Sequence, residues 1–379
     1  MKYSETMQKD INRKFLAEAG VHVYSHGAAM LRPSDIYKYQ NDDGFRKAIE
    51  GCNIYIIAKR RRISVNPYEL KIIDGLIHGE FRLHEEDIFN YETYKFKQIK
   101  PLTSSLGDVL ELSHVRAKDS YGFNIEVHDP LNGTHTCSVN RLIADSNHNL
   151  KNHANFEVLY VGQAFGKNGE RLAIDRLAAH TTLQRIMAET AEEDPAYEVL
   201  LLLFRFEHSR NIISSAGDFS VEPTATSQEE SEHLLKASNT KIDRKTRITL
   251  AEAALINHFK PKYNTMHKDS FRASNMKKLK SLKNLFKNDL TAVMVEINSI
   301  NFGGKLFTET RRPRTVEDVF AKEHVDNWNS PEWFKNSEIS KSDVDQMVSE
   351  MTHACHANFP LYEASERESF LHSLPWSTI

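Results

Sequence analysis

Between residues 151 and 268 the alternation of apolar and polar positions changes period several times, and each change predicts an element. Phe156-Glu-Val-Leu-Tyr-Val161 is an apolar run of the strand type, and Gly162-Gln-Ala-Phe-Gly-Lys-Asn-Gly169, with three glycines, reads as the loop after it. From Glu170 to Ala188, Leu172, Leu177, Leu183 and Ile186 recur at near-helical spacing, which predicts one helix. Ala196 to Phe206 is too continuously apolar for an exposed edge and predicts a buried strand. Residues 209–247, rich in Ser, Thr and Glu, are expected to form an insertion with a short helix. Thr249 to Phe259 restores a helix, with Thr249 as N-cap and Pro261 as stop. Strand, helix, strand, insertion and helix make a small α/β unit within an α+β protein.

The flanks differ in texture. Residues 1–150 mix short helical and strand patterns and are expected to form an N-terminal α+β domain concerned with substrate recognition. Within it Asn53-Ile-Tyr-Ile-Ile57 is β-prone, and Tyr121–Val127 and Thr134–Val139 flank an Asn-Gly step that predicts a hairpin. The polar, asparagine-rich stretch from Asp145 to Asn155 is the expected boundary. Residues 269–379 read as a basic helix from Lys277 to Lys287, a strand at Thr291–Ile297, a further strand ending at Phe307, and a mostly helical remainder.

A chain of 379 residues suits two or three domains. Its longest apolar run, Val199–Phe204, is far short of the roughly 20 residues of a membrane span. Met1 to Asp10 carries mixed charge and no apolar stretch, so no membrane partner is expected and the cytoplasm is the expected location. Cys52, Cys137 and Cys355 lie too far apart to suggest a zinc site or a disulfide framework. His353-Ala-Cys355-His356 reads either as a metal-binding fragment or as part of an amphipathic helix. A formal net charge of −3 gives no overall pull toward a polyanion, so a nucleic-acid surface would need local clusters of cations. Lys59–Arg62, Arg311-Arg-Pro-Arg314 and the quartet Lys277, Lys280, Lys283 and Lys287 are such clusters; a solvated face explains the quartet equally well.

Four pieces then occur in order. Tyr160-Val-Gly162 ends a strand, Arg176 and His180 stand four residues apart in the next helical segment, Leu250-Ala-Glu252 opens the last helix, and Pro261-Lys-Tyr-Asn264 follows it. Together they resemble the GIY-YIG nuclease family: its Y-I-G element, the R-x3-H arrangement of some restriction-type members, its metal-binding glutamate and its P-x-x-N ending. The resemblance spans roughly Asn155 to Asn264. It implies an endonuclease that uses Mg2+ or Mn2+ to cut nucleic acid, double-stranded DNA foremost, in restriction or antiviral defence, with the oligomeric state open, a dimer included. The alternative is a nucleic-acid-binding protein on the same fold with weakened catalysis. One element of the family pattern is missing, since no Gly-Ile-Tyr-like triplet occurs between Gly133 and Phe156. Either Tyr121 enters through a long connection, or the first strand, at Thr136–Leu142, lacks its tyrosine.

The chemistry suits these residue types. Cutting a phosphodiester requires a proton acceptor for water and relief of the charge that builds on the phosphorane. Glu252 offers a hard oxygen to a divalent cation, or is an ordinary helix-surface glutamate. Arg176 presents a planar fork to a phosphate, or pairs with Asp175 or Glu170. Tyr160 accepts a proton if a nearby cation lowers its pKa, or is simply a strand aromatic. His180 polarises water, tunes the tyrosine or caps the core. Lys167 and Arg171 border a loop and helix start suited to phosphate, and Asn264 braces the site or serves a turn.

Overall fold

A computed structural model describes residues 12–86, 89–103, 107–166, 171–215, 221–266 and 282–372. The elements that carry the site are, in chain order, β1 (Glu18–Tyr24), β2 (Ala28–Leu31), α1 (Pro33–Lys38), β3 (Ile54–Arg61), β4 (Phe156–Gln163), α2 (Ala173–Leu177), α3 (Thr181–Glu193), β5 (Tyr197–Phe204), β6 (His208–Ser214), α4 (Ser227–Asn239), α5 (Arg244–Phe259), β7 (Ala292–Asn298), β8 (Leu306–Phe307) and β9 (Ala354–Pro360). The protein is α+β, and these elements stack in layers.

The first sheet runs β8-β4-β3-β5-β2, with β3 antiparallel to both of its neighbours. Both faces of this sheet are covered, which is why β3 and β5 read as unbroken apolar runs. Ile54, Ile56 and Ala58 alternate toward the core shared with α5, while Tyr55 and Ile57 face the opposite way, into the core formed with α1, α2 and α3. The second sheet runs β6-β1-β7-β9, with β1 and β7 parallel. Helix α5 lies between the two sheets, and its small residues Ala251, Ala253 and Ala254, all buried, suit it to that position. The Asp243 carboxylate caps the helix by accepting from the Thr246 amide at 2.8 Å, and left-handed Lys260 ends it just before Pro261.

The chain between β3 and β4 forms a separate β-rich module with its own core. Ile63–Val65, Lys71–Ile73, Leu76–His84, Tyr91–Gln98 and Ser146–His148 form one sheet, and His114–Ala117, Asn124–Asp129 and Gly133–Ser138 form another. Arg60, with 2% of its surface exposed, ties this module to the layered core. It donates to Glu198 of β5 at 3.0 Å and to Asn140 of the module, and its guanidinium lies over the Phe156 ring.

Several expectations are corrected here. A boundary near residue 150 does not divide the layered core, because β2 and β3 pair with β5 and β4 in one sheet. Residues 209–247 are not a mere insertion, since β6 is an edge strand of the second sheet. The helix expected over Glu170–Ala188 is two helices, α2 and α3, with His180 as the N-cap of the second. Helix α5 starts at Arg244, so Thr249 lies inside it and is not its cap. β7 is the strand expected at Thr291–Ile297, but the remainder of the C-terminal region, expected to be mostly helical, also contributes β9 to the second sheet.

Candidate active site

The register of β3 against β4 sets the geometry. Tyr160 stands opposite Ile57, and Gly162 stands opposite Tyr55. A bulge falls between Val158 and Tyr160, so that Leu159 and Tyr160 both turn toward α2 and α3 while Val158 and Val161 face α5. Tyr55 and Tyr160 therefore share one face, their rings 6.2 Å apart and 23° from parallel. Gly162 makes the arrangement possible. A Cβ at this position would lie 2.6 Å from the Tyr55 hydroxyl oxygen and 2.8 Å from the Tyr160 ring, so only glycine leaves room for the pair.

The tyrosine that accompanies Tyr160 is thus Tyr55, in Asn53-Ile-Tyr55, with the whole β module between the two in sequence. Tyr121 is not that residue. It lies in a turn of the module, 55% exposed, with its ring against Phe123. Thr136–Leu142 is not the first strand either; it ends one strand of the module's hairpin and begins the helix Val139–Ala144.

A cleft of about 400 Å³ opens beside the pair, walled by Tyr55, Tyr160, Gln163, Arg171, Arg176, Lys245, Thr249 and Glu252. Lys245, Thr249 and Glu252 come from one face of α5, at i, i+4 and i+7. Gln163, the last residue of β4, donates from Nε2 to Oε2 of Glu252 at 2.6 Å. Arg176 forms no ion pair among the described residues. Asp175, an expected partner, binds Arg46 at 2.9 Å instead, and the other, Glu170, lies outside the described residues. The sequence singles out neither Gln163, Lys245 nor Tyr55 for the site, and marks Thr249 only as a helix cap.

Burial governs the charges here. It raises Glu252 to about 7, against hydrogen bonds from Gln163 and the pull of Arg176. It also raises Tyr55 well above its ordinary value, with Tyr160 and Glu252 adding to the rise and Arg176 opposing it. Tyr160 rises as well, through burial first and Glu252 second, while Arg176 and Tyr55 work against the shift. A neighbouring cation was expected to lower Tyr160; in this cleft burial and the glutamate outweigh Arg176.

His180 is 6% exposed, and its Nδ1 accepts from the Leu183 amide at 3.1 Å. The neutral ring therefore carries its proton on Nε2. The ring stands edge-on to Tyr55 and Tyr160, at 5.7 and 5.0 Å between centroids. It does not line the cleft; it caps α3 and supports both tyrosines. Asn264, 7% exposed, clamps β4 between the tyrosine and the glycine: its Oδ1 accepts from the Val161 amide and its Nδ2 donates to the Val161 carbonyl, each at 2.9 Å.

Lys167, Lys277 and Lys280 lie outside the described residues. Lys283 and Lys287 are exposed on a short helix, Lys283–Lys287, held by buried Leu282 and Leu285. Among the described residues no three His, Cys, Asp or Glu side chains form a metal-binding group. A divalent cation in the cleft would rest on Glu252, with water and substrate oxygens supplying the rest, which suits an ion that keeps most of its waters. At the His353–His356 segment, His356 lies 3.6 Å from Glu296, which His22 also approaches, at 3.0 Å.

Comparison with family models, with curated proteins and with solved structures gives no match to this chain.

Proposed function

We propose that the chain is a metal-dependent endonuclease of the GIY-YIG kind, hydrolysing phosphodiester bonds in nucleic acid, double-stranded DNA foremost. One observation carries the reading: two tyrosines from paired strands, an arginine without an ion pair among the described residues and a half-buried glutamate meet around a single cleft. Arg176 and Arg171 offer planar forks to the scissile phosphate, and Lys245 adds a third cation. A magnesium or manganese ion on Glu252 would offset the charge on the phosphorane and lower the pKa of the tyrosine nearest the water. Tyr160, as the phenolate once its own proton has passed to solvent, would receive the proton of the attacking water. Tyr55 hydrogen-bonds the same reacting group, and the leaving oxygen is protonated from solvent. Gln163 holds the Glu252 carboxylate in one orientation throughout.

A plasmid-nicking assay with Mg2+ tests the reading. The parent chain nicks, and Glu252→Gln and Arg176→Lys each lose at least about a hundredfold in rate. Nicking by Glu252→Gln at the parent rate removes the glutamate from the chemistry.

The second reading, a nucleic-acid-binding protein with weakened catalysis, is favoured by the upward shift of both tyrosines and of Glu252, which leaves the cleft short of a base. Salt-sensitive binding of DNA without Mg2+-dependent nicking distinguishes it.

A further inference from the structure

A second pocket, of about 320 Å³, opens at the C-terminal end of α5. Its wall comprises His258 and Phe259 of α5, Leu306 of β8, Cys355 of β9, Asp318, and every residue of the run from Thr310 to Arg314 except Pro313. It shares no lining residue with the cleft. This run contains the Arg311-Arg-Pro-Arg314 cluster, which the nuclease reading leaves unused.

The charges on this wall do not cancel. Asp318 is its one acid, and its oxygens are taken by Arg312, at 2.7 and 2.5 Å, and by the Thr315 amide and hydroxyl. Half-buried Arg314 donates to the Ala354 carbonyl at 3.0 Å and lies 3.2 Å from Nδ1 of His356. Glu296, beside His356, is engaged by His22 and His356 and is not on the wall. Arg311 has no ion pair or side-chain hydrogen bond among the described residues, and neither ring nitrogen of His258 has a hydrogen-bond partner among them. Of the three guanidinium groups on the wall, Arg311 and Arg314 therefore border a half-enclosed space without a carboxylate partner. Such groups favour an anion that brings several acceptor oxygens.

We propose that this pocket binds a phosphoryl group, with Arg311 and Arg314 as its donors and the His258 ring beside it. Phe259 and Leu306 add an apolar wall, and the volume falls at the lower end of small-molecule sites. This accommodates a phosphate carried on a nucleoside. Two sources share that chemistry, a free nucleotide and the phosphorylated end of a nucleic-acid strand. Strand β4 runs from Phe156, the partner of Leu306, to Tyr160 beside the cleft, on the order of 13 Å by strand rise, so a strand end held here would lie near the cleft. The His258 ring reports on the charge around it. Burial, Arg311, Arg314 and His356 hold it down at about 3, and an anion among those cations would raise it.

The proposal is tested by NMR on the full chain with labelled histidine, in EDTA, with inorganic phosphate, adenosine 5′-monophosphate, and a short oligonucleotide with or without a 5′-phosphate as probes. Phosphate is expected to move the His258 titration midpoint upward. Arg311→Gln should weaken that effect about tenfold or more, since one charge-assisted donor is lost. Among the described residues the Arg311 side chain has no hydrogen-bond or ion-pair partner to lose, so this variant is expected to fold. Arg176→Gln should leave the effect unchanged. Saturation by the mononucleotide alone supports a free nucleotide, and saturation by the 5′-phosphorylated strand but not the 5′-hydroxyl strand supports a strand end. A His258 resonance that no probe moves at millimolar concentration overturns the proposal. So does an effect lost in Arg176→Gln and kept in Arg311→Gln, which puts the anion in the cleft. Both outcomes are independent of nicking activity.

Discussion

Two demands meet at residue 252. The side chain is half-buried beside tyrosines, which favours its protonated form, yet the proposed cation needs the ionised form. Its ordinary value of 4.5 rises to about 7 in the folded chain, so the metal-free protein loses stability as pH climbs from about 4.5 through 7. Glu252→Gln removes that loss. In EDTA at pH 8 the variant should be more stable than the parent by about 1–3 kcal/mol, and at pH 4 the difference should vanish; urea denaturation at both pH values measures it. Affinity for Mg2+ should rise over the same window, because the ion displaces a proton. The tyrosines give a second prediction at this scale. Tyr55→Phe removes one hydroxyl from the cleft and should lower nicking by at least about a hundredfold, whereas Tyr121→Phe should leave it unchanged. Loss of nicking in the Tyr121 variant contradicts the pairing of Tyr55 with Tyr160.

At the scale of elements, the short helix Lys283–Lys287 adjoins the start of α5, where Asn284 donates to the Lys241 carbonyl at 3.3 Å. Replacing Lys283 and Lys287 with glutamine should flatten the salt dependence of DNA binding by about two units of slope if both meet phosphates. An unchanged slope assigns them to solvent. The elements also show where the sequence was readable. β4 and β5 were legible because burial on both faces leaves unmistakable apolar runs, and the hairpin around Asn132-Gly133 because a tight turn demands particular residues. The break between α2 and α3 was not, because His180 caps through a ring nitrogen, an N-cap outside the usual Ser, Thr, Asp and Asn. Within the site, Tyr160, Arg171, Arg176 and Glu252 were found through local motifs, as was the bracing Asn264. Tyr55 was not legible because the whole β module separates it from β4, and nothing local in Asn53-Ile-Tyr55 reveals which strand it pairs with. Lys245 and Thr249 become visible only when the α5 face is set against the cleft.

At the scale of the molecule, the β module is joined to the layered core through a buried charge. Arg60, Glu198 and Asn140 share hydrogen bonds out of water, so removing one charge strands another. Arg60→Met should cost about 3–5 kcal/mol, and Arg60→Met combined with Glu198→Leu should recover most of that loss. Thermal denaturation of the single and double variants measures the coupling. Equal losses in both would mean that the arginine acts through packing against Phe156 and not through its charge.

Tyr55 and Tyr160 are also divided by a solvent-exposed hairpin tip, where Leu131 is 83% exposed. A nick between Leu131 and Asn132 would leave Tyr55 on one fragment and Tyr160, Arg176 and Glu252 on the other. The antiparallel pairing of Asn124–Asp129 with Gly133–Ser138 would span the break. Neither fragment holds a whole cleft, so neither should cut. Mixed together, they should regain the proposed nicking in proportion to the amount of complex formed, so that proximity of the two pieces would set the output.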